Sequence, residues 1–156
     1  MKGKVKVTKI EENDSLKLDK HLPTMNGVIL FHHPGCIHCI MLKPKWELMK
    51  KKINSGGEIM EVNAKALEES KNPIRNKIDG FPMIVCVQNG EIKEKFSEER
   101  NIENMLKFVT KHLNNKVNNL NFNYKLNKHN NLKKVTKKNN KTKNKGKPKK
   151  NKTRQK

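Results

Sequence analysis

The chain has few cysteines, few aromatic residues and no long apolar segment. Of its 156 residues, three are cysteine and 4% are aromatic, so it does not resemble a small secreted domain held together by disulfides. No run of about 7 to 15 apolar residues follows the basic N-terminus, as a secretory signal requires. No segment approaches the roughly 18 to 20 apolar residues of a membrane span. These absences predict an intracellular or particle-associated protein with an ordinary apolar core and no membrane span.

Acidic residues are absent from the last part of the chain. All 15 Asp and Glu lie at or before Glu103, whereas residues 114–156 contain 16 Lys and Arg and 13 Asn. Such a segment buries too little apolar surface to offset the entropy lost on ordering. The sequence therefore predicts one domain over residues 1–113 and a mostly disordered basic tail over residues 114–156, in which residues 117–126 are expected to dock.

The basic tail leaves two interpretations open. Its positive charges could attach the domain to a polyanion such as nucleic acid, to anionic lipid or to an acidic protein, and Pro148-Lys149-Lys150 is also compatible with an import signal. The use of Lys instead of Arg, with only Phe122 and Tyr124 as aromatic residues, argues against base-specific recognition. The alternative is a solvated extension that keeps the protein soluble.

Apolar residues alternate in some segments and recur at helical spacing in others, which predicts an α/β order. The continuous apolar run at residues 27–31 is typical of a strand buried on both faces in the middle of a sheet. A helix begins near Cys36 and contains Pro44, which we expect to kink it. Predicted strands cover residues 5–10, 27–31, 58–63, 83–87 and 91–96, the last two joined by a tight Asn89-Gly90 turn. Predicted helices begin at about residues 15, 36, 64 and 101, and the third is expected to extend to about residue 77.

Two thiols stand two residues apart in Cys36-Ile37-His38-Cys39, which allows them to cycle between dithiol and disulfide. The rival interpretation is half of a zinc site, with His32, His33 or His38 as further ligands. Zinc sites usually need a second CxxC or a paired His segment, and the remaining Cys86 lies in an apolar run where it is interpreted as core. The pattern favours redox chemistry and predicts no metal.

Three ordered motifs resemble the thioredoxin family across about residues 5–113. They are Phe31-His32-His33-Pro34-Gly35-Cys36-Ile37-His38-Cys39, Pro44-Lys45-Trp46-Glu47 and Gly80-Phe81-Pro82. The resemblance implies an α/β fold with a central mixed sheet flanked by helices. Pro82 matches the family's cis-proline, which faces the sulfurs. His38, before the second cysteine, is more similar to protein disulfide isomerase than to thioredoxin.

The resemblance implies thiol–disulfide exchange with protein thiols and disulfides, without a bound cofactor. Cys36 would be the nucleophile and Cys39 the resolving thiol. A helix N-terminus and the His38 imidazole would stabilise the Cys36 thiolate, which predicts a more oxidising couple than that of thioredoxin. Pro82 would orient the substrate backbone. The predicted substrate groove consists of Gly35, Ile37 and Phe81.

Some positions depart from the family's pattern. Leu30 stands where the family usually buries a carboxylate that accepts the proton of the second thiol, and Glu61 stands where a lysine often pairs with that carboxylate. We therefore predict that Glu61 supplies the carboxylate from the next strand and is buried with a raised pKa. Gly35 replaces a tryptophan and Glu98 replaces a groove glycine, which predicts a partner surface unlike that of thioredoxin.

Two predictions concern the whole protein. The excess of Lys and Asn, together with the isomerase-like motif, is similar to thioredoxin-like proteins of giant DNA viruses, which implies a location in the virion or the host cytoplasm. The competing function is a basic nucleic-acid- or particle-binding protein whose CxxC is a secondary redox or metal centre. His32 and His33 are interpreted as polar loop residues, with tuning of the cysteines as the alternative.

Overall fold

A five-stranded mixed sheet forms the centre of the domain in the computed structural model, which describes residues 3–113. The strands are β1 (Lys6–Ile10), β2 (Gly27–His32), β3 (Glu58–Asn63), β4 (Met83–Gln88) and β5 (Glu91–Lys95). Their order across the sheet is β1-β3-β2-β4-β5. β1, β3 and β2 run parallel, and β4 is antiparallel to both β2 and β5. β2 therefore lies at the centre, as its apolar run predicts, and β1 and β5 form the edges.

Helices cover both faces of the sheet. Within residues 3–113 they are α1 (Ser15–His21), α2 (Ile37–Lys51), α3 (Ala64–Glu69) and α4 (Ile102–Leu113), with short 3₁₀ helices at Leu22–Thr24 and Pro73–Lys77. On one face of β2, Val28 and Leu30 pack with α2 and α4. On the other face, Ile29 and Phe31 pack with α1 and α3. Cys86 is buried in the core beside α2 and α4, which confirms its interpretation as a core residue.

The predicted order of strands and helices is confirmed, but the segment 64–77 is not one helix. α3 ends at Glu69, and Ser70 is extended. The side chain of Asp19 accepts hydrogen bonds from the Ser70 hydroxyl and from the backbone N–H groups of Lys71 and Asn72. Because the residue before a proline avoids helical geometry, Asn72 is extended as well, and a 3₁₀ helix begins at Pro73.

The hairpin between β4 and β5 has the predicted turn. Asn89 and Gly90 have φ angles of 49° and 73°, as a tight hairpin turn requires. A Cβ atom on Gly90 would lie 2.5 Å from the carbonyl oxygen of Leu22. Glycine is therefore needed here for both its φ angle and its small size.

The longest helix, α2, has 15 residues and runs continuously through Pro44. None of the helices formed by residues 3–113 is long and apolar enough to cross a membrane. The predicted basic tail at residues 114–156 and the docking segment 117–126 lie outside the described residues. The predicted domain boundary at residue 113 therefore stays a prediction.

Candidate active site

The sulfur of Cys36 lies at the N-terminus of α2. Four residues after the end of β2, Cys36 forms the N-cap of this helix, and its Sγ accepts a hydrogen bond from the Cys39 backbone N–H at 3.4 Å. Unpaired N–H groups and the helix dipole favour negative charge at a helix N-terminus. The fold therefore holds the predicted nucleophile where a thiolate is stabilised.

The two thiols of the motif differ in exposure and in pKa. Cys36 is partly exposed, whereas Cys39 is buried. Hydrogen bonds from the Cys39 thiol and from the Cys39 and His38 backbone N–H groups lower the pKa of Cys36. Burial raises the pKa of Cys39 to about 11. Cys36 is therefore the readily ionised thiol, and Cys39 needs a proton acceptor before it can react.

The peptide bond between Phe81 and Pro82 is cis and lies beside the cysteines. The Cys36 thiol donates a hydrogen bond to the Phe81 carbonyl oxygen at 3.5 Å, and Pro82 lines a cavity together with Cys39. The structure therefore has a cis bond before Pro82 and brings Pro82 next to the cysteine pair, and its role in orienting a substrate stays a prediction. An extended backbone that approached Cys36 would meet the backbone of these two residues.

Arg100, to which the sequence assigned no chemical role, also lies at the site. Its guanidinium group donates a hydrogen bond to the Pro82 carbonyl oxygen at 3.1 Å. Its positive charge adds to the hydrogen bonds that lower the pKa of Cys36, and it opposes the rise in the pKa of Cys39 caused by burial. No spacing in the sequence signals this contact, because it depends on the path of the chain between β5 and α4.

The predicted groove residues surround Cys36. Gly35 and Ile37 flank it in the chain, and Ile37 is 61% exposed. The half-buried Phe81 contacts Cys36 through its carbonyl group. The side chain of His38 is exposed, and its backbone N–H lies close enough to help lower the pKa of Cys36. Substrate binding by this surface and tuning by the His38 imidazole stay predictions.

His33 makes contacts that a polar loop residue would not need. Its backbone N–H donates to the Cys39 Sγ at 3.4 Å, and its Nδ1 accepts a hydrogen bond from the Gly35 backbone N–H at 2.9 Å. Its ring lies 6.1 Å from that of Phe81, measured between centroids. His33 therefore links the loop before α2 to the cis-proline segment, a role that only its position next to the motif could have suggested.

Glu61 is buried as predicted, but the prediction of a raised pKa is wrong. Burial alone would raise its pKa, yet hydrogen bonds from the Lys50 ammonium and the Trp46 indole, with the charges of Lys50 and Lys9, lower it. The indole Nε1 lies 2.9 Å from the Glu61 Oε1, and the Lys9 Nζ lies 3.9 Å from its Oε2. Glu61 is therefore a carboxylate held in its charged form.

A cavity of about 340 Å³ lies between α2 and the sheet. Its walls include the Cys39 thiol and several polar side chains from β2 and β3. Among its lining residues are Leu30, His32, Cys39, Trp46, Glu61 and Asn63. The cavity therefore brings Cys39 and Glu61 to one space, as the sequence predicts, and adds His32 to them.

The described part of the chain offers no ligand set for the alternative zinc site. Within residues 3–113, no group of three or more His, Cys, Asp or Glu residues is arranged to hold a metal ion. His33 and His38 take the positions described above, and Cys86 is buried in β4. Cys36 and Cys39 are free thiols in the structure.

Comparison with known sequences identifies a family and several relatives. The family model described as Thioredoxin matches residues 3–111. Protein disulfide-isomerase A4 from Bos taurus is 31% identical over 114 residues, which are 71% of this chain and 17% of that protein. The protein of the same name from Homo sapiens is 30% identical over the same shares. The chain therefore spans about a sixth of the length of these relatives.

Solved structures match in fold. The J-Trx1 fragment of ERdj5 has a TM-score of 0.55 and 22% identity, over 69% of this chain and 51% of that one. The oxidised thioredoxin from Plasmodium falciparum has a TM-score of 0.52 and 16% identity, over 69% of this chain and 99% of that one. At these identities the similarity shows the fold alone, which is the α/β fold that the motifs predict.

Proposed function

We propose, because this chain belongs to the thioredoxin family, that it is a thiol–disulfide oxidoreductase that acts on protein substrates through Cys36 and Cys39. The observation that carries the proposal is the contrast between the two thiols. Cys36 is accessible with a lowered pKa, whereas Cys39 is buried with a pKa of about 11. Such a pair suits an attacking thiolate and a resolving thiol that reacts second.

The exchange has two steps in the reducing direction. The Cys36 thiolate attacks one sulfur of a substrate disulfide, a mixed disulfide forms, and the other substrate sulfur leaves as a thiolate. Cys39 then loses its proton and attacks the Cys36 sulfur, which releases the second substrate thiolate. The substrate disulfide has gained two electrons, and Cys36 and Cys39 are joined as a disulfide. The reverse sequence transfers a disulfide to the substrate.

The surroundings of Cys36 support protein substrates. The cis peptide bond before Pro82 presents the Phe81 carbonyl group beside the sulfur, where an extended substrate backbone could lie. Ile37 offers exposed apolar surface next to it, which suits unfolded segments.

The proposal also includes a preferred direction of exchange, in which the Cys36–Cys39 disulfide oxidises substrate thiols. The isomerase-like His38 and the N-cap position of Cys36 favour the thiolate, which makes a disulfide more oxidising. The similarity to protein disulfide-isomerase A4 supports the same direction. We expect the reduction potential of the Cys36–Cys39 couple to lie nearer to roughly −180 mV, as in protein disulfide isomerase, than to roughly −270 mV, as in thioredoxin. Equilibration with glutathione measures it, and a thioredoxin-like value removes the oxidant interpretation.

Reduction of insulin by dithiothreitol tests the activity itself. The full chain should accelerate insulin reduction, and Cys36→Ser should abolish the acceleration because the attacking thiolate is lost. Cys39→Ser should accumulate a mixed disulfide through Cys36. Cys86→Ala is the control, since Cys86 is buried away from the site, and it should retain the activity. Equal activity of the Cys36→Ser variant and the natural chain would contradict the proposal.

A further inference from the structure

The resolving step needs a proton acceptor, and Glu61 is poorly suited to that role. In the reduced chain, burial raises the pKa of Cys39 to about 11, so Cys39 carries its proton when Cys36 attacks the substrate. Donors from Lys50 and Trp46 occupy the Glu61 carboxylate and keep its pKa below the ordinary value despite its burial. A carboxylate so stabilised is a weak base. Another group near Cys39 must therefore take the proton.

His32 lies in the right place. It ends β2, and because successive strand residues point to opposite faces, its side chain shares the α2 face with Val28 and Leu30. In the parallel register Leu30 is beside Glu61, and His32 is beside Asn63 two pairs further along. His32 and Cys39 both line the cavity of about 340 Å³, which is large enough for water.

The charges around His32 come from every element at the cavity. Burial of His32 lowers its pKa. The negative charges of Glu61 in β3 and Glu11 in the loop after β1 raise this pKa, whereas the positive charges of Lys43 in α2 and Lys9 in β1 lower it further. Glu47 of α2 also lines the cavity. The net pKa of His32 is below the ordinary histidine value of 6.5. The imidazole is therefore neutral at pH 7 and has a nitrogen free to accept a proton.

We propose that His32 accepts the proton of Cys39 during the resolving step, through water in the cavity that both residues line. This inference rests on the proposed exchange activity. In the step, Cys39 gives its proton to the imidazole, the new bond joins the Cys39 and Cys36 sulfurs, and the bond between Cys36 and the substrate sulfur breaks. The substrate leaves as a thiolate, and the imidazolium then returns its proton to solvent. In the reverse direction, the imidazolium reprotonates Cys39.

A coloured disulfide separates the two steps of the exchange. When the reduced full chain reacts with 5,5′-dithiobis(2-nitrobenzoate), attack by Cys36 releases one coloured thiolate, and resolution by Cys39 releases a second. Stopped-flow absorbance records the two phases between pH 5 and 9. The Cys39→Ser variant identifies the first phase, because it cannot resolve. The Cys36→Ser variant measures the background reaction of the buried thiols.

The variant His32→Gln retains a polar side chain but cannot take up a proton. We expect its second phase to slow on the order of 100-fold. Its first phase should stay within about twofold of the natural rate, because the groups that lower the pKa of Cys36 are Cys39, His38 and Arg100. In the natural chain the second-phase rate should fall as the pH drops below the pKa of His32, since the protonated ring cannot accept. The variant should lack this dependence.

Two further variants distinguish a role of His32 in proton transfer from a purely structural role. His112→Gln is the matched control, because His112 is also partly buried beside a glutamate but lies on α4, and it should leave both phases and their pH dependence unchanged. In His32→Ala, free imidazole should restore the second phase in proportion to its concentration. An unchanged second phase in His32→Gln, equal slowing of both phases, or no rescue by imidazole would overturn the inference. A natural chain without any second phase would remove the proposed function as well.

Discussion

At the scale of single residues, Glu61 and Lys50 form a buried ion pair beneath the active site. Their side chains are 9% and 10% exposed, and Trp46 and Lys9 also contact the carboxylate. A buried pair of this kind is costly to break, because removal of one partner leaves the other charge without compensation. Glu61 is therefore a structural anchor between β3 and α2.

The substitution Glu61→Gln should destabilise the domain. Lys50 would lose its buried partner and keep only Glu47, at 2.8 Å, so we expect a loss of about 2 to 3 kcal/mol in the free energy of unfolding. Urea denaturation at pH 7 measures it. Glu103→Gln is the control, because Glu103 pairs with Lys107 on the exposed surface of α4, and it should change the stability by at most about 0.5 kcal/mol.

The difference in the free energy of unfolding between the natural chain and Glu61→Gln should also depend on pH. The pKa of Glu61 is lower in the folded protein than its ordinary value of 4.5, so the unfolded chain takes up this proton first as the pH falls. The stabilisation is thus complete above about pH 4.5 and is lost as the pH drops through the lower folded pKa. A difference in stability that stays constant from pH 7 to pH 3 would contradict the charged state of Glu61.

The sequence predicts residues whose roles follow from local spacing and misses those that depend on contacts between distant elements. The cysteine pair and Pro82 belong to short motifs, and the fold brings them next to each other. The lowered pKa of Glu61 was not foreseen, since no pattern shows that Lys50 reaches across from α2 to β3. Arg100 was missed for the same reason, because its contact with Pro82 depends on a loop path.

At the scale of elements, caps and turns decide where each segment ends. Apolar periodicity predicted the strands and helices. It could not show that the Asp19 side chain of α1 accepts hydrogen bonds from the backbone after Glu69, where α3 ends. The hairpin was predicted because Asn89-Gly90 carries its own local signal. A turn with its own local signal can therefore be predicted from the sequence, whereas a helix end that depends on contact with another helix cannot.

The turn between β4 and β5 gives a prediction at this scale. Gly90→Ala should lower the free energy of unfolding by about 2 kcal/mol, because φ is 73° and the new Cβ would lie 2.5 Å from the Leu22 carbonyl oxygen. Gly80→Ala is the matched control, since a Cβ there meets nothing within 4 Å. Urea denaturation of both variants measures the effect, and equal stability of the two would contradict the tight approach of the turn to Leu22.

At the scale of the whole molecule, the chain combines a thioredoxin domain with a basic C-terminal segment. All 15 acidic residues lie in the domain, whereas residues 114–156 carry 16 basic ones. We propose that the domain performs the chemistry and that the basic segment attaches it to a polyanion through counterion release. The predicted virion or host-cytoplasm location remains a proposal of the same kind.

Deletion of residues 117–156 should separate these two roles. We expect the shortened chain to reduce insulin within about twofold of the full-length rate, since the core and the active site lie within residues 3–113. It should elute from a heparin column at much lower salt, because all but one of the basic residues after residue 113 are removed. Loss of insulin reduction with retained heparin binding would reverse the assignment of roles.

The edge strands of the sheet have a consequence for assembly. β1 and β5 both carry lysines along their length, Lys6 and Lys9 in one and Lys93 and Lys95 in the other. Charged lysines on an edge strand oppose the addition of another strand. Neighbouring copies are thus discouraged from joining edge to edge into larger sheets. Under the proposed function, we expect a partly unfolded substrate to dock at the cysteine end of the sheet without forming aggregates along its edges.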